Sequence, residues 1–194
     1  MYLKGADMKP YIIPLPEIIK NMLITLEHDT AVVIITSKID FIAPIDIDNI
    51  VRYYDIKYSD SLELPYRGHA IVDNNSATIE ISNNLTTNPK RFTIAHELGH
   101  VFSYQFQGKT GKVHYDENTS TGKDAEEVYA NAFAASILVP KELLINQLKV
   151  NRNVAKIANI FSVSQKVIEY RVRRLFGNSI DIINHNYENI IVDK

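Results

Sequence analysis

The sequence contains no cysteine. Disulfides and thiolate metal sites are therefore excluded, and any transition metal has to be held by histidine and carboxylate. An excess of one charge is missing too. The 21 basic and 23 acidic residues leave a formal charge of −2, so no overall pull toward nucleic acid or an anionic membrane is expected. Long apolar runs are absent: the longest strongly apolar stretch is Ala31–Ile35, against the roughly 20 residues needed to cross a bilayer. The first residues hold no apolar segment followed by a small-residue cleavage site, so no secretory signal is expected and a cytoplasmic protein is the default. There is no internal repeat and no low-complexity tract. What remains is ordinary globular composition, 45% apolar and 23% charged over 194 residues, enough for one large domain or a domain with an appendage.

Residues 1–43 are the least readable. Pro14 and Pro16 open a helix over Glu17–Glu27, and the β-branched Ala31–Thr36 reads as a strand. Asp46–Tyr54 reads as a short helix with Ile47, Ile50 and Val51 on one side. Strands are expected at Ile56–Tyr58, His69–Val72 and Thr78–Ile81, the last two joined as a hairpin by the turn Asp73–Ser76. Asn88 is the expected cap of the next helix, with Pro89 at its first position and Gly108 just past its end. Within it Phe92, Ala95, Gly99, Phe102 and Phe106 recur at helical spacing. Residues 108–123 are polar and read as a long exposed loop. Helices then follow over about 124–138, from Pro140 to Leu148, and over 153–161 and 165–175, with Ser164 capping the last and Gly177 closing it.

The segment His96-Glu97-Leu98-Gly99-His100 is HExxH on a helix. Residues four apart lie about 40° apart around the axis and one turn along it, so both imidazoles can reach one ion. Glu97 is placed to take the proton of a metal-activated water. Chance alone yields such a pentapeptide in roughly one of a couple of hundred chains of this length. A catalytic zinc wants three protein ligands. Glu127, at 127 − 100 = 27 residues downstream on the following helix, is the best-placed third, although acidic residues on a solvated helix face are common. Glu126 points about 100° away from it, and Asp124 sits near the helix start, where an acid is favoured in any case. Asn131 is one turn beyond Glu127. Its side-chain oxygen can accept from the outer nitrogen of a ligating histidine, or it simply bonds nearby backbone.

RFTIAHELGH (Arg91–His100) followed by EVYANAFAASILVP (Glu127–Pro140) resembles the paired signature of the ImmA/IrrE family of metallopeptidases. The pattern from Ala158 to Ser164, with Arg171 beyond it, is similar to the family's C-terminal part. The resemblance spans about 90–177, roughly half of the chain. It implies a gluzincin-like site, with His96, His100 and Glu127 as zinc ligands, Glu97 as general base and Asn131 supporting a ligand from behind. It further implies an α+β, zincin-like fold: a small, mostly antiparallel sheet packed on the HExxH helix, and a helical C-terminal part. The expected division is an N-terminal extension (1–45), a metallopeptidase domain (46–148) and a helix-turn-helix-like region (149–194). The implied activity is limited endoproteolysis of a helix-turn-helix repressor protein, as in derepression of a mobile element, prophage or stress regulon.

Several residues stay outside that assignment. His114, Tyr115 and Tyr104 are candidates for stabilising an oxyanion, but eleven tyrosines put one near any site. His28, His69 and His185 have no motif around them and read as structural or surface residues. The strands over 69–81 are candidates for a sheet edge on which an extended substrate could lie. Residues 153–175 resemble a helix-turn-helix in a basic setting, with Lys149, Arg152, Lys156, Lys166, Arg171, Arg173 and Arg174 against Glu169 alone. The rival reading is therefore a DNA-binding transcriptional regulator with a structural or vestigial metal site.

Overall fold

Apolar side chains alternate along the strands and recur every three or four residues along the longest helix, and the two patterns meet in one core. The computed structural model describes residues 42–61, 64–115 (113–115 by backbone alone) and 125–177. The helix and strand expected before residue 42, and the tail beyond 177, lie outside the described residues. The elements are α1 (Ile47–Tyr53), β1 (Lys57–Ser61), β2 (Gly68–Val72), β3 (Ala77–Ser82), α2 (Thr87–Gln107), β4 (Gly111–Tyr115), α3 (Ala125–Leu138), α4 (Lys141–Val150), α5 (Val154–Phe161) and α6 (Gln165–Phe176). The class is α+β, as expected.

Among the described residues the sheet has four strands, in the order β1-β3-β2-β4. β2 and β3 form the antiparallel hairpin, with Ala70 opposite Ile79, and Asp73 N–H donates to the Ser76 carbonyl across the turn. β4 adds antiparallel to β2, and β1 pairs parallel with β3. The sheet is thus mixed, with two of its three pairings antiparallel. Two expectations are corrected here. Strands β2 and β3 are interior, so among the described residues the sheet edges are β1 and β4. The polar stretch after Gly108 is also not loop throughout: Gly111–Tyr115 is paired to β2 by backbone hydrogen bonds, which ask little of side-chain polarity.

One sheet face carries Ala70, Val72, Ala77, Ile79 and Ile81, all buried, and packs on Ile94, Ala95, Leu98, Val101 and Phe102 of α2. Helix α2 starts two residues earlier than the Asn88 cap implies. Thr86 is its N-cap, while the Asn88 amide donates to the Val163 carbonyl at 3.3 Å. Gly108 ends it in the left-handed region at φ 65°, where a glycine costs least. The far side of α2 lies against α3. Gly99 permits this: a Cβ there would stand 3.1 Å from the Ala130 Cα and 3.1 Å from the Phe133 ring.

Arg91 ties distant segments to the start of α2. Its Nη2 donates to the Ile45 carbonyl at 2.7 Å, and its Nε to the Ser162 carbonyl at 3.3 Å. The C-terminal helices share the core through Ile157, Phe161, Val163, Ile168 and Val172. Arg171 is not on the basic surface expected of it. It is 1% exposed and its Nε donates to the Val139 carbonyl at 3.0 Å, fastening α6 to the α3–α4 junction.

Because the α2–α3 approach is set by a missing side chain, Gly99→Val should force the helices apart. A stability loss of about 1–3 kcal/mol is expected in urea denaturation. A matching fall in metal affinity should appear in chelator competition, since the two helices carry different members of the site described next.

Candidate metal centre

His96 and His100 lie one turn apart on α2, on the side turned to α3, and Glu127 and Asn131 occupy one face at the start of α3. Their side chains converge. His100 Nε2 stands 3.0 Å from His96 Nε2, Glu127 Oε1 stands 3.1 Å from His100 Nε2, and Glu127 Oε2 stands 3.3 Å from His96 Nε2. Donors about 2.1 Å from a tetrahedral ion are about 3.4 Å apart, so these separations are close to those of three ligands around one cation. Both histidines are fully buried and Glu127 is 9% exposed. Two imidazole nitrogens facing a carboxylate in so dry a place are mutually satisfied only with a proton or a cation between them. The donor set therefore fits a divalent metal. Among the described residues no other group of three such side chains gathers in this way.

Asn131 sits behind His96, its Oδ1 3.1 Å from His96 Nδ1. With Nδ1–H donating to that oxygen, the lone pair of Nε2 is turned toward the cluster. His100 Nδ1 is buried and finds no hydrogen-bond partner among the described residues. The two rings are thus held unequally.

Burial raises Glu127 first, but hydrogen bonds from His100 and then His96 outweigh it and hold its carboxyl at about 2. The group is therefore ionised and available as a ligand. His96 is shifted below its ordinary value by burial above all, an effect that its bond to Glu127 opposes and the neighbouring His100 reinforces. Glu97 is the odd member. Its side chain is fully buried, and neither carboxylate oxygen has a hydrogen-bond partner among the described residues. Burial, then repulsion from Glu127, pushes its carboxyl well above the usual range. An acid kept without partners beside three converging donors has a place for a polar guest, a water among them.

Tyr104 is half-buried one turn beyond His100, with Lys109 Nζ 5.8 Å over its ring. Lys109 pairs with Glu126 at 2.9 Å, so Glu126 turns to that lysine while its neighbour Glu127 turns inward. Asp124 and the side chains of His114 and Tyr115 lie outside the described residues, as do His28 and His185. His69 is buried away from the cluster, its Nε2 3.3 Å from Glu80 Oε2 and its Nδ1 3.4 Å from the Tyr66 hydroxyl, in a cross-strand role.

The fold and the site together define a helix-borne His/His/Glu group that could hold a metal ion, with an acid alongside, set in an α+β frame. The family model of the M78 peptidases, described as the IrrE N-terminal-like domain, matches residues 51–173. The chain belongs to this ImmA/IrrE metallopeptidase family, whose paired signature is legible in Arg91–His100 and Glu127–Pro140. No curated protein matches the sequence. Among solved structures, a Mycobacterium tuberculosis transcriptional regulator is similar in fold, with a TM-score of 0.54 at 17% identity. The match covers 81% of this chain and 51% of that one, so this chain spans about half the length of the regulator.

Two outcomes follow for metal binding. Glu127→Ala should abolish stoichiometric uptake, and Asn131→Ala should weaken it about 10–100-fold, both read by competition with a chelating dye. Affinity should also fall as pH is lowered, because ligation needs unprotonated imidazoles. The downward shift of His96 places the onset for that ring below the ordinary 6.5.

Proposed function

We propose that this protein is a zinc-dependent endopeptidase that makes a limited cut in an intracellular helix-turn-helix repressor. The observation that carries the reading is the buried Glu97 carboxyl, without a hydrogen-bond partner among the described residues, beside the convergent His96, His100 and Glu127. A purely structural zinc would call for four protein donors, whereas three gather among the described residues. Two imidazoles and one carboxylate are a common ligand set of hydrolytic zinc, although they also suit other divalent ions.

His96, His100 and Glu127 would hold the ion, with Asn131 fixing the tautomer and direction of the His96 ring. Zinc bound there would supply Lewis acidity, acidifying a water and polarising the scissile carbonyl. Glu97 does the proton work. Its carboxylate accepts the proton of the attacking water and delivers it to the leaving amine nitrogen as the peptide C–N bond breaks. Its raised affinity for a proton suits it to hold one between those two events. The dry surroundings strengthen each of these interactions.

The choice of substrate is supported by family membership, and the fold shared with a transcriptional regulator sets the same context. On this reading the partner is the repressor, the setting is the cytoplasm, and the outcome is derepression.

Incubating the zinc-loaded protein with a helix-turn-helix repressor from the same genome should yield two discrete fragments, and a chelator should prevent this. Glu97→Gln should keep the metal and lower the rate about 10²–10⁴-fold. A Glu97→Gln protein that cuts as fast as wild type would refute the assignment.

A further inference from the structure

The proposed chemistry leaves the last two helices unused, and they carry a second organised surface. Helix α5 is eight residues long, capped by Asn153, whose side chain accepts from the Lys156 N–H. It ends at Ser162 in the left-handed conformation, φ 52° and ψ 51°, and three residues later α6 begins for twelve residues. The tight turn seats Ile157, Ala158, Phe161, Val163 and Ile168 in the core. This is the short-helix, sharp-turn, longer-helix pattern that presents its second helix to a groove. Arg171 and Val172 are buried, so the orientation of α6 is fixed from beneath.

The outward face of α6 is built differently. Lys166, Arg173 and Arg174 are exposed, and Tyr170 is half-exposed. On an ideal helix these four fall within about 100° of arc, and Lys166 and Arg174 are about 12 Å apart along the axis. That length is comparable with the roughly 12 Å width of the major groove of DNA. Between and beside the cations stand Gln165, exposed, and Glu169, half-exposed, whose amide and carboxylate are suited to adenine and cytosine edges. Lys149, Arg152 and Lys156 are also exposed on the preceding segment. From 149 to 177 the one acidic residue is Glu169, and none of these six cations forms an ion pair among the described residues. Cations confined to the ends of the helix, with a carboxylate between them, suit phosphates flanking a groove. An acidic protein face would meet Glu169 as a repulsive centre.

We infer that α5 and α6 form a duplex-DNA docking surface, with α6 entering the major groove and Lys166, Arg173 and Arg174 on flanking phosphates. This adds to the peptidase reading and does not rest on it. One such unit binds weakly and mainly through phosphates, with dissociation constants of about 10⁻⁶–10⁻⁴ M.

The test is fluorescence anisotropy of the full chain with a labelled 20-base-pair duplex of mixed sequence. Binding is expected at 50 mM salt, and three phosphate contacts would weaken it roughly 40-fold by 200 mM. The triple variant Lys166→Glu, Arg173→Glu, Arg174→Glu alters exposed positions only, so it should keep the wild-type melting temperature and metal content while losing DNA. Duplex binding that survives the triple substitution overturns the inference. So does its absence in the wild type at 50 mM salt, or equal affinity for poly-glutamate, which would mark a surface for acidic polypeptides.

Discussion

The close approach of α2 and α3 at Gly99 is the constraint on which the rest depends. His96 and His100 belong to one helix and Glu127 to the other, so the cluster exists only if the two backbones come within side-chain reach. A glycine facing Ala130 and the edge of Phe133 allows that distance. The sheet then covers the opposite side of α2 with Ile79, Ile81, Ala70 and Val72, leaving the helix no freedom to back away. A polar centre is thereby assembled inside an apolar frame, where a bound cation and an ionised Glu127 interact with little screening from water. The same burial that strengthens the cluster leaves the Glu97 carboxyl without hydrogen-bond partners among the described residues.

The frame is also tied from its ends. Arg91, five residues before His96, donates to carbonyls of the segment entering α1 and of the α5–α6 turn, and Asn88 reaches that same turn. Arg171 returns from α6 to the end of α3. The C-terminal helices are thus built onto both helices that carry the candidate ligands, and among the described residues the outer face of α6 is left to solvent. The buried cluster and the cationic outer face of α6 are separate features of one packed core.

Much of this was legible in the residues, for reasons that differ from site to site. HELGH is local: two histidines four apart on a helix point the same way whatever surrounds them, and Phe92, Ala95, Gly99, Phe102 and Phe106 announce the helix. Glu127 is not local. Spacing alone makes it one acid among three, and only the signature of the following helix singles it out. The hairpin was readable from its turn and alternation, but strand order was not. Pairing between distant segments decides it, so β2 and β3 proved to be interior and Gly111–Tyr115, polar enough to read as loop, proved to be a strand. Arg171 misled for a similar reason. An arginine counts as surface charge in a sequence, yet a backbone carbonyl such as that of Val139 can hold its guanidinium in the core.

The proposed chemistry rests on the ion that His96, His100 and Glu127 are arranged to share. X-ray absorption at the zinc edge of the stoichiometrically loaded protein measures that environment directly. Two imidazole nitrogens and carboxylate oxygen at about 2.0–2.2 Å, with a light-atom donor completing the shell, is the expected result. A spectrum with fewer than two imidazoles, or a protein that takes up no zinc at neutral pH, would contradict it.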